Sequence, residues 1–304
     1  MADAVRLYDQ ALHDRGQIDF DDMVGLALQA LDSSDDICKT YRERFRYVLV
    51  DEFQDTNEMQ FRLLRRLLGN EQNLFVVGDD DQSIYGFRGA ARKLILNFGN
   101  EFPTAKIVML TRNYRCSSEV VRLANAEIAK SATRYRKSLR AGLGRHGPVE
   151  LRCATDSHVE LGFIAKEVET LRKQGVALNE IGILVRVNAQ LKEINSELRR
   201  REMPVGSADG GVRVMTLHAA KGLQFSVVFL PGLEEHLLPH WNAINSGCDA
   251  IEEERRLFYV GVTRARRQLI LSWSQRRGGH RRQPSPFLNG LRLRRLVQYK
   301  QLTF

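Results

Sequence analysis

Two apolar runs each end in a cluster of acids. Val48-Leu49-Val50 leads into Asp51-Glu52-Phe53-Gln54-Asp55, and Phe75-Val76-Val77 leads through Gly78 into Asp79-Asp80-Asp81-Gln82. In α/β proteins the crevice beyond the carboxyl ends of parallel strands is where ligands sit. One carboxylate there can hold Mg²⁺, and a neighbour can orient or deprotonate a water, a division of labour used to cleave phosphates. For Asp51 and Glu52 alone, a solvated strand end reads equally well. Gln82 carries an amide suited to a terminal phosphate. Tyr85, Phe87 and Arg88 follow between Gly78 and Gly89. Exposed aromatics beside a cation form a stacking platform for single-stranded bases, at about 1–3 kcal/mol per base. The competing reading is that both rings are core.

Elements must hold these groups in place. Strand-like runs fall at residues 47–50, 74–77, 107–110, 149–153, 181–185, 212–217, 227–230 and 269–273. Most are continuous Val, Ile and Leu with little alternation, as in parallel strands buried on both faces. Helical periodicity marks residues 20–31, with Asp19 as a cap, and residues 58–68, 117–129, 158–172 and 189–201. The alternation predicts an α/β fold. Residues 140–148, 207–211 and 276–286 are rich in Gly or Pro and read as loops.

The chain has 304 residues, room for about two domains of ~100–200 residues. No apolar run reaches the ~18 residues that span a bilayer, and the polar start is unlike a secretory signal. The expectation is a cytoplasmic protein with no membrane partner. Cys38, Cys116, Cys153 and Cys248 are scattered, which argues for buried thiols rather than zinc or disulfides. The net charge of +9 is uneven: residues 255–304 hold twelve Arg, one Lys and no acid, leaving −4 (9 − 13) for the rest. A stretch this basic suits phosphate backbones or a solvated surface.

Taken in order, the motifs resemble those of the UvrD/Rep/PcrA DNA helicases. Residues 51–57 and 78–90 look like motifs II and III. Asn113-Tyr114-Arg115 resembles motif IV, Val214 to Phe225 motif V, and Glu252 to Ala265 motif VI. Ile18-Asp19-Phe20-Asp21-Asp22 and Pro239-His240 also fit. The resemblance implies two RecA-like P-loop NTPase lobes with parallel, helix-flanked sheets. One spans 1–104 and is incomplete; the other spans 105–304. It further implies a 3′-to-5′ helicase acting in DNA repair or replication, with ATP and Mg²⁺ as cofactors and single-stranded DNA or duplex/single-strand junctions as partners. By resemblance Asp51 holds Mg²⁺, Glu52 is the general base, and Gln82 senses the γ-phosphate. Tyr114 stacks on adenine, Arg115 touches the γ-phosphate, and Arg264 is an arginine finger. Tyr85, Phe87, Arg88, Thr216, His218 and His240 line the single-strand track. For Thr216, His218 and His240 a local structural hydrogen bond is the alternative.

Three departures temper this. The family's phosphate cradle, G-x-x-x-x-G-K-[ST], is absent, and no Gly-Lys dipeptide occurs in the sequence. The chain alone is therefore expected not to turn over ATP, with its first lobe completed by an N-terminal segment or a protein partner. The large insertion expected between motifs IV and V, the 2B subdomain, is replaced by a short linker at 206–211. Gln224 stands where the family carries a ribose-contacting Glu. A non-catalytic nucleic-acid- or protein-binding remnant is the rival reading. Keeping Asp51, Glu52, Gln82, Arg115 and Arg264 together argues against it.

Overall fold

A computed structural model describes residues 2–69, 72–142, 144, 147–206, 210–289, 291 and 297–302. The chain divides into two compact units, residues 1–104 and 105–304.

The first unit opens with helices α1 (Ala2–His13), α2 (Phe20–Ser33) and α3 (Asp35–Arg44). Asp19 starts α2 by a capping box. Its carboxylate accepts from the Asp21 and Asp22 N–H groups, and the Asp22 carboxylate accepts from the Asp19 N–H. Orphan donors are thereby satisfied at both ends of the first turn. Strand β1 (Val48–Val50), helix α4 (Glu58–Leu67), strand β2 (Leu74–Val76) and helices α5 (Arg92–Leu96) and α6 (Phe98–Glu101) complete the unit. β1 and β2 pair in parallel with Val48 opposite Leu74. Phe53, Phe61, Phe98 and Phe102 interlock at centroid distances of 4.9–6.4 Å and anchor the segment after β1. Burial on both faces fails here: the cross-strand pair Leu49 and Phe75 is 73% and 62% exposed.

The second unit begins with β3 (Arg112–Asn113), α7 (Ser118–Ile128) and β4 (Arg140–Ala141), where β3 and β4 form a small parallel pair. Its main elements are β5 (Val149–Ala154), α8 (Ser157–Lys173), β6 (Ile181–Val185), α9 (Asn188–Arg200), β7 (Arg213–Thr216) and β8 (Phe225–Leu230). Then come α10 (Trp241–Ser246), α11 (Cys248–Val262), β9 (Ala265–Ser274), the hairpin strands β10 (Arg276–Arg277) and β11 (His280–Arg281), and β12 (Gln298–Gln301). Six of these strands form one sheet in the order β12-β5-β9-β8-β6-β7, every pairing parallel. Ile181, Ile183, Val185, Val227, Phe229 and Ile270 of the sheet pack with Ile164, Val168, Ile194 and Leu198 of the covering helices.

The expected strand at 107–110 does not form. Its four apolar residues are exposed and find no ladder partner among the described residues. The expected basic loop at 276–286 contains the hairpin instead, and α11 and β12 were not foreseen. Three cysteines are buried as expected, but Cys248 is exposed. Residues 207–209 of the short linker and 292–296 of the basic stretch lie outside the described residues.

The contrast in burial sets an expectation for stability. β6 is buried at every position, whereas Leu49 and Phe75 face solvent. Amides open through local unfolding where few apolar contacts hold them. Hydrogen exchange should therefore protect residues 181–185, 225–230 and 265–274 more strongly than 48–50 and 74–76. Equal or reversed protection would contradict this.

Candidate nucleotide and nucleic-acid sites

In the first unit the two acid clusters are stitched together at the strand tips. The parallel ladder runs past β1 and β2, from Val77 N–H to Val50 O (2.8 Å) and from Phe53 N–H to Val77 O (2.9 Å). Asp51 is exposed, and its Oδ1 accepts from the Glu52 N–H at 2.8 Å. Glu52 itself sits at φ 51°, in the left-handed region. Such backbone costs a non-glycine residue on the order of 1–3 kcal/mol and gathers at functional sites.

Buried Gln54, to which the sequence alone gives no role, organises both tips. Its amide donates to the Glu52 carboxylate, while its Oε1 accepts from the Asp79 N–H at 2.9 Å. Its backbone carbonyl accepts from Ser83 Oγ. A Cβ on Gly78 would meet Gln54 Oε1 at 2.8 Å, so only glycine lets the tips approach this closely. Asp79 in turn accepts from the Asp81 N–H and, at 2.7 Å, from the side-chain amide of Gln82. Asp51, Glu52 and Gln82 are thus gathered on one hydrogen-bonded scaffold. The carboxylates of Asp79, Asp80 and Asp81 approach within 4.8 Å of one another. Asp80 and Asp81 are buried, and Asp80 pairs with Arg92.

Tyr85, Phe87 and Arg88 lie on the turn that follows. Phe87 is exposed and Tyr85 half-buried, so Phe87 is not core. Their ring centroids are 6.1 Å apart, with the Arg88 guanidinium over both. The Tyr85 phenol is raised by burial and by Asp55.

The second unit gathers the other candidates. Asn113 Oδ1 accepts from the Arg115 and Cys116 N–H groups, fixing the turn that presents Tyr114 and Arg115. Tyr114 is exposed, and its ring lies against Gly142, where a Cβ would meet Cδ1 at 2.9 Å. Cys116 Sγ donates to the Thr263 carbonyl. Burial raises the Cys116 thiol, opposed by the charges of both Arg115 and Arg264. Because Cys116 and Thr263 adjoin Arg115 and Arg264 in the chain, the Cys116–Thr263 bond brings the two arginine-bearing segments together. Arg264 is almost wholly buried. Its guanidinium donates to the carbonyls of Val260 (2.9 Å) and Leu223 (3.2 Å) and to Thr263 Oγ1 (3.2 Å). It thus ties the end of α11 to the turn carrying exposed Gln224.

Thr216 and His218 flank the end of β7, both half-buried. Thr216 Oγ1 accepts from the Ala219 N–H, and His240 Nδ1 caps α10 by accepting from the Asn242 N–H. The local structural role weighed for these two is therefore present. Burial and Arg186 lower the His240 imidazole, with Glu254 opposing.

Acid-tipped parallel strands in the first unit and a helix-flanked parallel sheet in the second define an α/β protein. Comparison with known proteins gives the family. Residues 1–103 match the UvrD/REP helicase N-terminal domain, and residues 108–211 and 206–276 match the UvrD-like helicase C-terminal domain. The chain belongs to the UvrD/Rep helicase family. It is 31% identical to the ATP-dependent DNA helicase UvrD2 of Mycobacterium tuberculosis, over 93% of this chain and 56% of the relative. It is 32% identical to a probable DNA helicase of Mycoplasma pneumoniae, over 89% and 51%. It is 39% identical to DNA helicase II of Escherichia coli, over 65% and 27%. The chain thus spans about half the length, or less, of these relatives. No helix among the described residues is long and apolar enough to cross a membrane.

Proposed function

We propose that this chain is the core of an ATP-dependent 3′-to-5′ DNA helicase or single-stranded DNA translocase, acting in the cytoplasm in DNA repair or replication. Its partners are single-stranded DNA or duplex/single-strand junctions. The observation that carries this reading is the scaffold around Gln54, which gathers Asp51, Glu52 and Gln82 at two parallel strand tips. The names of the relatives, ATP-dependent DNA helicases among them, support it.

In this reading Asp51 holds Mg²⁺, for which an exposed carboxylate at a strand tip is a fitting oxygen donor. The ion, when bound, offsets phosphate charge. Glu52, oriented by the Gln54 amide, accepts the proton of the attacking water. Gln82, aligned by Asp79, contacts the γ-phosphate. Tyr114 stacks on adenine and Gln224 offers the ribose an acceptor. Arg115 and Arg264 neutralise the transferred phosphoryl, a role worth about 10³–10⁵ in rate for an arginine finger. Tyr85, Phe87, Arg88, Thr216, His218 and His240 follow the DNA strand. The C-terminal family match breaks into two segments that meet at 206–211, which supports a deleted insertion there. The bare Leu49–Phe75 face supports a further segment or protein partner on the first unit.

This chain alone does not turn over ATP, on this reading, because nothing in it supplies the Gly-Lys cradle whose backbone donors and lysine anchor the β- and γ-phosphates. Phosphate release in the presence of single-stranded DNA should stay at background, while the same protein binds the DNA. Robust turnover would overturn the inactivity, and failure to bind single-stranded DNA would overturn the helicase reading.

A further inference from the structure

Motif VI contributes an acid as well as an arginine. Glu254 lies on α11, eight residues before the helix ends and ten before Arg264. Its side chain is buried and accepts three bonds from the Arg186 fork, from Nε at 3.0 and 3.1 Å and from Nη2 at 2.6 Å. Arg186 stands one residue beyond β6, so the pair clamps α11 to the tip of an interior strand of the sheet. Glu254 does one thing more. Its Oε2 accepts the backbone N–H of His240 at 3.0 Å.

His240 closes the loop of residues 231–240. The front of that loop is held elsewhere: Glu234 accepts from the Ser274 N–H and Oγ and from Arg277, and Ser285 Oγ donates to the Leu238 carbonyl. Its far end, where the imidazole emerges, is held to α11 by Glu254. A buried carboxylate whose lone pairs are shared between a fixed guanidinium and one backbone N–H allows little play. The helix from Glu254 to Val262 measures about 12 Å at 1.5 Å per residue, and Arg264 follows it. One helix therefore holds His240 near its middle, through Glu254, and leads to Arg264 two residues past its end.

We infer that Glu254 is a positioning residue, which fixes the His240 loop to the helix leading to Arg264 and so sets the imidazole for contact with DNA. This rests on the reading of His240 as a DNA contact. Neither role was assigned to Glu254 or Arg186 from the sequence.

The sign of the effect separates positioning from bulk charge. Removing a carboxylate from a DNA-binding protein should by charge alone strengthen binding, since less repulsion opposes the phosphates. Positioning requires the opposite. Single-stranded DNA affinity of the whole chain is measured by fluorescence anisotropy for Glu254→Gln, His240→Ala and their combination. Each single variant should weaken binding about fivefold or more, and the combination should be within about twofold of the weaker single, the coupling expected of residues in contact. Phe87→Ala, in the other unit, should instead multiply with Glu254→Gln. Full multiplication of Glu254→Gln with His240→Ala would overturn the inference, as would unchanged or tighter binding by Glu254→Gln. If His240→Ala alone binds normally, the reading of His240 falls, and the inference with it. Glu254→Gln keeps one acceptor oxygen but loses the carboxylate that grips Arg186 and the His240 N–H together. Should it fail to fold, Arg186→Met with Glu254→Leu replaces the buried pair by apolar groups and removes the acceptor outright. That protein must show the same loss and the same lack of additivity with His240→Ala.

Discussion

Replacing Arg277 by Met should destabilise the second unit by about 3–5 kcal/mol, the usual cost of leaving a buried charge without its partner. The Arg277 guanidinium lies between two carboxylates that solvent barely reaches, those of Glu160 and Glu234. Nε and Nη2 fork onto Glu234 at 2.9–3.1 Å, and Nη2 also reaches Glu160. Burial pushes the guanidinium down, but Glu160 and Glu234 more than offset that and leave it raised. The carboxylates have further tasks. Glu160 accepts from Ser272 Oγ and the Gly232 N–H, and Glu234 accepts from the Ser274 N–H and Oγ. Without Arg277 both acids stay buried, because those bonds hold them. Arg277→Lys should recover only part of the loss, since an ammonium lacks the planar fork. By contrast, removing Lys173, whose pair with Glu169 lies in solvent, should change stability by less than about 1 kcal/mol. Urea unfolding followed by circular dichroism measures all three. A shift below about 1 kcal/mol for Arg277→Met would refute the claim that this network holds the unit together, given whole-domain stabilities of about 5–15 kcal/mol.

Arg277 also shows where counting charge misleads. The last fifty residues hold twelve arginines, which reads as a cationic surface. In the structure Arg256 and Arg264 are buried, Arg255 pairs with Glu127 and Glu252, and Arg277 pairs with Glu160 and Glu234. Their acidic partners lie up to 128 positions away in the chain, beyond the reach of any local count. Arg267, Arg276 and Arg281 do remain exposed and suit phosphate contact.

The central strands were legible because burial on both faces leaves an unbroken apolar run; residues 181–185 form β6 as expected. The cap at Asp19 was legible because capping is local. The run at 107–110 looks the same on paper, yet a strand exists only with a neighbour, and none of the described residues pairs with it. Helix α11 was hidden for a different reason. Its second half, from Arg256 to Val262, is buried on all sides, so no amphipathic stripe marks it. The site was legible in residue types and less so in support. Gln54 reaches Asp79 across 25 positions, and Arg186 reaches Glu254 across 68. An amide set inside a run of acids was the one available hint for Gln54.

The platform on the first unit is where sequence and structure together make the sharpest claim about DNA. The turn Gly86–Arg88 is closed by Gly89 at φ 83°, which holds Phe87 outward at 66% exposure. An exposed phenylalanine of this size, with an arginine 5.6 Å from its centroid, buries little by staying where it is. A base stacked on the ring would cover that surface and gain about 1–3 kcal/mol, so Phe87→Ala should weaken single-stranded DNA binding by about 5- to 150-fold at 1.4 kcal/mol per tenfold. Tyr85, half-buried and edge-on to Phe87 at 70°, should cost less when replaced by Ala and almost nothing when replaced by Phe. Salt separates stacking from charge. Each phosphate contact to a single strand contributes about 0.7 to the slope of log affinity against log salt. Arg88→Ala should lower that slope by about this amount if the guanidinium meets a phosphate, whereas Phe87→Ala should lower affinity at every salt and leave the slope alone. Titrations across a salt series decide it. Unchanged affinity in Phe87→Ala would remove the platform from the DNA path, and a slope that falls with Phe87 rather than Arg88 would mean the ring acts by positioning the cation.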